Sequence, residues 1–84
     1  MPYYLITSRS LTYAQRTARA LGRAGITAQV QRAPAQIAGE GCGYCVRVSK
    51  HALADAARQL QAEGLPIKHV YAVEPDESLR EVFL

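Results

Sequence analysis

The alternation of apolar and polar residues predicts four β-strands in this chain. Each predicted strand is short, rich in aromatic or β-branched residues, and bounded by glycine or polar residues. A polar connection over 32–41, rich in glycine and alanine, separates the second strand from the third. The four predicted strands are 3–7, 26–30, 44–48 and 67–73.

Helical spacing of apolar residues predicts a helix after the first strand and another after the third. The first helix covers 11–24, with Ser8 or Ser10 as its cap and Gly25 as its end. It has an apolar face of Ala14, Ala18 and Leu21 and a basic face of Arg16, Arg19 and Arg23. Ser49 caps the second helix, and Gly64 and Pro66 end it. Its buried face is predicted to consist of Leu53, Ala56, Ala57 and Leu60.

The two halves of the chain resemble each other at an offset of 39 residues. Matching pairs include Ser10 and Ser49, Leu21 and Leu60, and Gly25 and Gly64. Two strand–helix–strand units in this order predict an α+β, ferredoxin-like βαββαβ fold. Such a fold has a four-stranded antiparallel sheet, with both helices on one face and the first and third strands in its centre. We expect a single domain over 1–73 and an acidic tail over 74–84, with a helical turn that buries Leu79, Val82 or Phe83.

The charge of the chain is unevenly distributed. Residues 1–73 carry nine Lys or Arg and three carboxylates, a net charge of +6, whereas residues 74–84 have a net charge of −3. This asymmetry indicates an anionic or acidic partner, or a tail that folds back onto its own body, and a solvated surface is the other interpretation. With 84 residues, no signal-peptide pattern and no apolar run long enough for a bilayer, we expect a small cytoplasmic protein without membrane contact.

The only two cysteines, Cys42 and Cys45, lie three positions apart beside Gly41 and Gly43. Thiols are kept reduced in the cytoplasm, so the pair indicates thiol chemistry rather than a structural disulfide. Glycine permits close approach of another molecule, so we expect the Cys42 thiol to be accessible. Strand alternation directs Tyr44, Val46 and Val48 to the helices, and places Cys45 and Arg47 on the open face of the sheet.

Three other uses of this segment are less well supported by the sequence. A redox CxxC motif usually opens a helix, whereas this one opens a predicted strand. Two cysteines supply half of a tetrahedral zinc site, and His51 and His69 are irregularly spaced, so we expect no metal or other cofactor within one chain. The alternative for a metal is a dimer that pools two CxxC pairs. The third strand lacks the stacking aromatics of an RNA-binding module, so no nucleic acid is expected.

From Tyr3 to about Val73 the chain resembles a family of small bacterial proteins described as selenium/sulfur carrier protein-like. The resemblance consists of the opening strand, a Leu-x-x-x-Gly-Ile segment at 21–26, a loop that begins with Pro34, and the Cys42-Gly43 step into a strand. The family usually has an arginine directly after that proline and serines before the cysteine. This chain has Ala35 there, and a loop about one residue longer.

The resemblance implies a carrier, rather than a stand-alone enzyme, that holds sulfur or selenium on Cys42 as a persulfide or selenopersulfide. A donor of the cysteine-desulfurase type would load it, and an unknown acceptor would unload it. Amides of Gly41 and Gly43, or Arg47, would favour the thiolate. Cys45 is either the resolving thiol or a small apolar strand residue. The alternative is a non-catalytic interaction or ligand-sensing module of the same fold, with incidental cysteines, and an exposed sheet face is compatible with a homodimer.

Overall fold

The computed structural model describes residues 3–38, 43–65 and 67–83. These described residues form five strands, three α-helices and one turn of 3₁₀-helix. The strands are β1 (Tyr3–Ser8), β2 (Ala28–Arg32), β3 (Tyr44–Ser49), β4 (Val70–Val73) and β5 (Leu79–Val82). The helices are α1 (Leu11–Arg23), α2 (Ala35–Ala38) and α3 (Leu53–Ala62), and the 3₁₀ turn (Lys50–Ala52) precedes α3.

The strands form one antiparallel sheet in the order β2-β3-β1-β4-β5. Its first four strands have the predicted ferredoxin-like order, with β1 and β3 inside the sheet, so the predicted fold is confirmed in part. The prediction of four strands is wrong, because β5 lies beside β4 in the segment where we expected a helical turn. Leu79 packs on one face of the sheet and Val82 on the other, whereas Phe83 is 85% exposed.

Two similar helix ends explain the internal repeat of the sequence. Gly25 and Gly64 both adopt the left-handed conformation, with φ of 77° and 70°. The N–H of Ile26 donates to the carbonyl of Leu21 (2.9 Å), and at the same relative position the N–H of Leu65 donates to that of Leu60 (2.9 Å). Both helices therefore end in a Schellman motif. This motif holds Ile26 against the end of α1, so β2 begins two residues later than predicted.

The helix beginnings differ. The Ser10 hydroxyl accepts a hydrogen bond from the Tyr13 N–H (3.1 Å), which confirms the predicted cap of α1. Ser49 makes no side-chain capping bond and precedes the 3₁₀ turn instead, so the predicted cap there is wrong.

The sheet is covered on both faces. Helices α1 and α3 pack on one face over a first core that includes Ile6, Val46, Val48 and Val70. The short helix α2 lies in the segment predicted as a loop, and its Ile37 packs in a second cluster on the opposite face. The second cluster consists of Leu5, Ile37, Cys45, Tyr71 and Val73. Both helices of the predicted pair are thus on one face, but the other face is not open where α2 packs.

No helix in the described part of the chain is both long enough and apolar enough to cross a membrane.

Candidate functional site

The predicted nucleophile Cys42 and its neighbour Gly41 lie outside the described residues, as does Glu40. Their predicted roles therefore stay predictions. The described geometry of the candidate site begins at Gly43, the residue that follows Cys42 in the chain.

Gly43 anchors the start of β3 to the end of β2. Its carbonyl accepts a hydrogen bond from the Ala33 N–H at 2.8 Å. Its φ lies outside the left-handed region, and a Cβ built on it would meet no atom of the described residues within 4 Å. The local backbone therefore does not require glycine at this position. In the direction of a Cβ, the described part of the chain leaves room for another molecule to approach the main chain.

Strand β3 has the predicted alternation, with one difference in exposure. Tyr44, Val46 and Val48 pack against the first core below the helices, and Cys45 lies on the opposite face. However, Cys45 is fully buried (0% exposed), so its predicted position on an exposed sheet face is wrong. The physical reason is α2, whose Ile37 packs in the same cluster as Cys45 and is itself 5% exposed.

The surroundings of the Cys45 thiol are those of an apolar core residue. Its Sγ lies 4.0 Å from the carbonyl oxygen of Arg32, at the limit of a hydrogen bond to sulfur. The interpretation of Cys45 as a small apolar strand residue fits its full burial in the second cluster.

Arg47, predicted to be a neighbour of the thiol, is exposed and directed elsewhere. Its guanidinium carbon lies 3.9 Å from the centroid of the Tyr3 ring, in a cation–π contact. Tyr3 is the register partner of Ser49, at the end of β3 away from Gly43. Both side chains line a cleft of about 310 Å³ at that far end, together with Lys50 and His51. The structure thus directs the Arg47 charge toward the end of β3 that is away from Gly43.

A different arginine lies near the step. Arg32, the last residue of β2, is the register partner of Tyr44, and its guanidinium carbon lies 5.6 Å from the centroid of the Tyr44 ring. Our sequence reasoning assigned Arg32 to the loop and missed this contact. Only the antiparallel register of β2 with β3 brings the two residues together. The usable signal would have been the hairpin-like return of the chain between them.

Among the residues that the structure describes, no group of three or more His, Cys, Asp and Glu side chains is placed to hold a metal ion. His69 instead makes a 2.8 Å contact with Glu81 between β4 and β5, and its ring stacks on Tyr71.

Residues 3–72 match the family described as "Putative Se/S carrier protein-like". The matched segment contains β1 to β3, α1 to α3 and most of β4, together with the Cys42-Gly43 step. Neither among curated proteins nor among solved structures was a match to the chain found. Because the family match covers more than half of the chain, this protein belongs to the Se/S carrier-like family.

Proposed function

We propose that this protein is a thiol carrier that receives sulfur or selenium on Cys42 and passes it to an acceptor. The observation that carries the proposal is the family match over 3–72, which includes the Cys42-Gly43 step. Two features of the described neighbours support it. A Cβ on Gly43 would meet no atom of the described residues within 4 Å, and Arg32 supplies a positive charge at the start of β3.

The loading step needs no oxidant or reductant beyond the donor itself. The Cys42 thiolate attacks the outer sulfur of a persulfide on the donor. A bond forms between Cys42 Sγ and that sulfur, the S–S bond of the donor breaks, and the donor thiolate leaves with its electron pair. Unloading is the same exchange with an acceptor nucleophile as the attacking group and the Cys42 thiolate as the leaving group. A selenium atom would be carried by an analogous bond.

Cys45 would act only in a competing reaction. Attack of its thiolate on Cys42 Sγ would release hydrosulfide and leave a disulfide between the two cysteines. Cys45 is fully buried in the second cluster, so other molecules in solution do not reach its thiol. Under this proposal it takes no part in the transfer.

Mass spectrometry of the intact protein tests the proposal. We would incubate the protein with a cysteine desulfurase and L-cysteine and compare it with the variants Cys42→Ala and Cys45→Ala. The expected result is a mass gain of one sulfur atom in the original protein and in Cys45→Ala, but not in Cys42→Ala. The mass gain should also disappear on treatment with dithiothreitol, since a persulfide is reducible.

The alternative function is a non-catalytic interaction or ligand-sensing module. It would give no sulfur adduct on either cysteine with any donor, and that outcome would refute the carrier proposal. A sulfur adduct on Cys45 alone would also contradict it, because the role of the carrier thiol is assigned to Cys42.

A further inference from the structure

The solvent-exposed side of α1 carries a continuous row of cations. We call Arg9, Arg16, Arg19 and Arg23, with Tyr13 between the first two, the arginine stripe. Within α1, Arg16, Arg19 and Arg23 follow one another at spacings of three and four residues, which place side chains on one side of a helix. Arg9 precedes the helix and is joined to them through Tyr13, because the guanidinium carbons of Arg9 and Arg16 lie 4.5 and 5.4 Å from the centroid of the Tyr13 ring. With a rise of about 1.5 Å per residue, the helical part of the stripe from Tyr13 to Arg23 is roughly 15 Å long.

Most of this positive charge has no partner in the described part of the chain. Arg23 pairs with Glu63, and hydrogen bonding by the Arg23 guanidinium is the main reason that the pKa of Glu63 lies below its ordinary value. The other three arginines make no ion pair with a described carboxylate. Helix α1 itself contains no acidic residue. Arg16, Arg19 and Arg23 also line one side of a cleft of about 160 Å³, with Glu63 and Leu65 opposite.

The stripe begins at the end of the sheet that carries the candidate site. Arg9 directly follows Ser8, the register partner of Tyr44. On the other side of Tyr44 lies its second register partner, Arg32. Strands in a sheet are ~4.8 Å apart, so Ser8 and Arg32 are separated by about 10 Å. A partner that lies along α1 would therefore also reach the start of β3.

The chemistry of the stripe favours carboxylates over nucleic acid. Proteins that bind single strands combine positive charge with open aromatic rings on which bases stack. Here Tyr13 lies under two guanidinium groups, and Tyr44 is half-buried against the first core. Arginine, by contrast, presents a planar set of donors that matches a carboxylate in two parallel hydrogen bonds.

We propose that the arginine stripe is the docking surface for a protein that presents a cluster of carboxylates, and that this protein is the persulfide donor. The inference rests on the proposed function, because only a carrier has a donor. Charge complementarity of this kind steers encounter and raises the rate of association more than it changes the chemical step.

The test compares a variant of the stripe with a matched control during persulfide loading. Arg16→Glu/Arg19→Glu reverses two charges of the stripe, and Lys50→Glu/Arg58→Glu reverses two exposed charges outside it. Initial rates of loading by a cysteine desulfurase of the same organism would be measured against carrier concentration, at ~0.05 M and ~0.5 M salt. Electrostatic steering raises association by about 10- to 1,000-fold, so we expect kcat/KM of the stripe variant to fall roughly 10- to 100-fold at low salt.

The maximal rate at saturating carrier should stay the same, since the stripe takes no part in bond making. The difference between the original protein and the stripe variant should shrink to about threefold or less at high salt, where the Debye length is only a few ångströms. The control variant should load like the original protein at both salt concentrations. Thermal unfolding followed by circular dichroism shows whether each variant is folded. If Arg16→Glu/Arg19→Glu fails to fold, Arg16→Gln/Arg19→Gln replaces it, with a smaller loss of kcat/KM in the same direction.

Three outcomes would overturn the inference while leaving the carrier proposal intact. One is an equal loss in the stripe and control variants, which would show a dependence on net charge only. Another is a loss of the maximal rate with KM unchanged. The third is normal loading of the stripe variant, combined with the finding that the original protein binds a labelled single-stranded RNA and the stripe variant does not. Failure of the original protein to load would instead refute the proposed function, and this inference with it.

Discussion

Replacing Ile37 with alanine is expected to raise the chemical reactivity of the Cys45 thiol about thirtyfold without unfolding the protein. Helix α2 is a single turn of four residues. Among the described residues, the N–H groups of Ile37 and Ala38 both donate to the nearby carbonyl of Pro34. Ile37 is the one α2 side chain in the second cluster, and it packs there with Cys45. Attachment of α2 to the sheet therefore depends largely on this side chain.

The magnitude follows from the burial of Ile37. Truncating a buried isoleucine to alanine lowers the free energy of unfolding by ~2 to 5 kcal/mol. The lower value applies to a peripheral helix, which can shift to fill part of the cavity that the removed atoms leave. A loss of about 2 kcal/mol in the free energy of opening α2 corresponds to a factor of about 30 in the open population. If reagent reaches Cys45 only in the open state, the labelling rate rises by the same factor.

The assay uses Cys42→Ser, so that Cys45 is the single thiol. Reaction with an excess of an aromatic disulfide reagent is followed by absorbance in native buffer. Gln36→Ala is the matched control, because Gln36 lies in the same helical turn but is exposed. It should leave the rate within about twofold of the parent, as expected for a surface substitution. Denaturant separates local from global opening, since local opening has a much smaller dependence on denaturant concentration.

Two results would refute this reasoning. Reaction of Cys45 in the parent at the rate of an unfolded peptide thiol would show that α2 does not cover it. Equal rates in Ile37→Ala and Gln36→Ala would show that Ile37 does not hold α2 in place.

Three further predictions concern stability. Gly64→Ala should lower the free energy of unfolding by ~1 kcal/mol or more, because Gly64 has φ of 70°, whereas Gly43→Ala should change it little in urea titrations. Glu63, whose pKa is lowered chiefly by its hydrogen bond from Arg23, should stabilise the fold above the ordinary glutamate pKa. That contribution should be lost as pH falls through the lowered pKa, and Glu63→Gln should flatten this part of a plot of stability against pH. Ending the chain after Pro75 removes β5 and the partly buried side chains that it contributes to both faces, which should cost roughly 2 kcal/mol in thermal or urea unfolding.

Local signals in the sequence were enough to predict α1, α3 and the first four strands. The apolar spacing of α1 and α3 and the two glycines that end them act within a few residues. The same is true of the alternation in β3, which correctly separated Cys45 from Val46. Each of these features is determined by neighbours in the chain, so a single sequence reveals it.

The fifth strand was missed because its apolar spacing was misinterpreted. Leu79 and Val82 are three residues apart, a spacing that is typical of one helix face. In β5 the same spacing places them on opposite faces of the sheet, where each packs on a different cluster. In the turn before β5, Glu77 has a φ of 68°. Glycine is the usual residue in this left-handed conformation, so the sequence gives no signal for the turn. The pairing of residues 79–82 with β4 depends on apolar clusters on both faces of the sheet, which are formed by residues distant in the sequence.

The covering of Cys45 is non-local in the same sense. A four-residue helix has no periodicity to detect, and Ala35–Ala38 reads as part of a loop. Its position over the sheet follows from the return of the chain from β2 to β3. The position of Arg47 was also predicted wrongly, because strand alternation alone placed it beside the thiol. Its contact with Tyr3 directs it to the far end of the strand.

Burial of Cys45 changes what a CxxC sequence means in this protein. In a redox enzyme both thiols must meet readily, because turnover alternates between the dithiol and the disulfide. Here Cys45 is fully buried in the second cluster, so its thiol is not exposed to reagents in solution. A carrier has a different requirement, since a resolving thiol that reached Cys42 would discharge the sulfur before an acceptor arrives. Under the proposed function, Cys45 is tolerated as an apolar member of the second cluster.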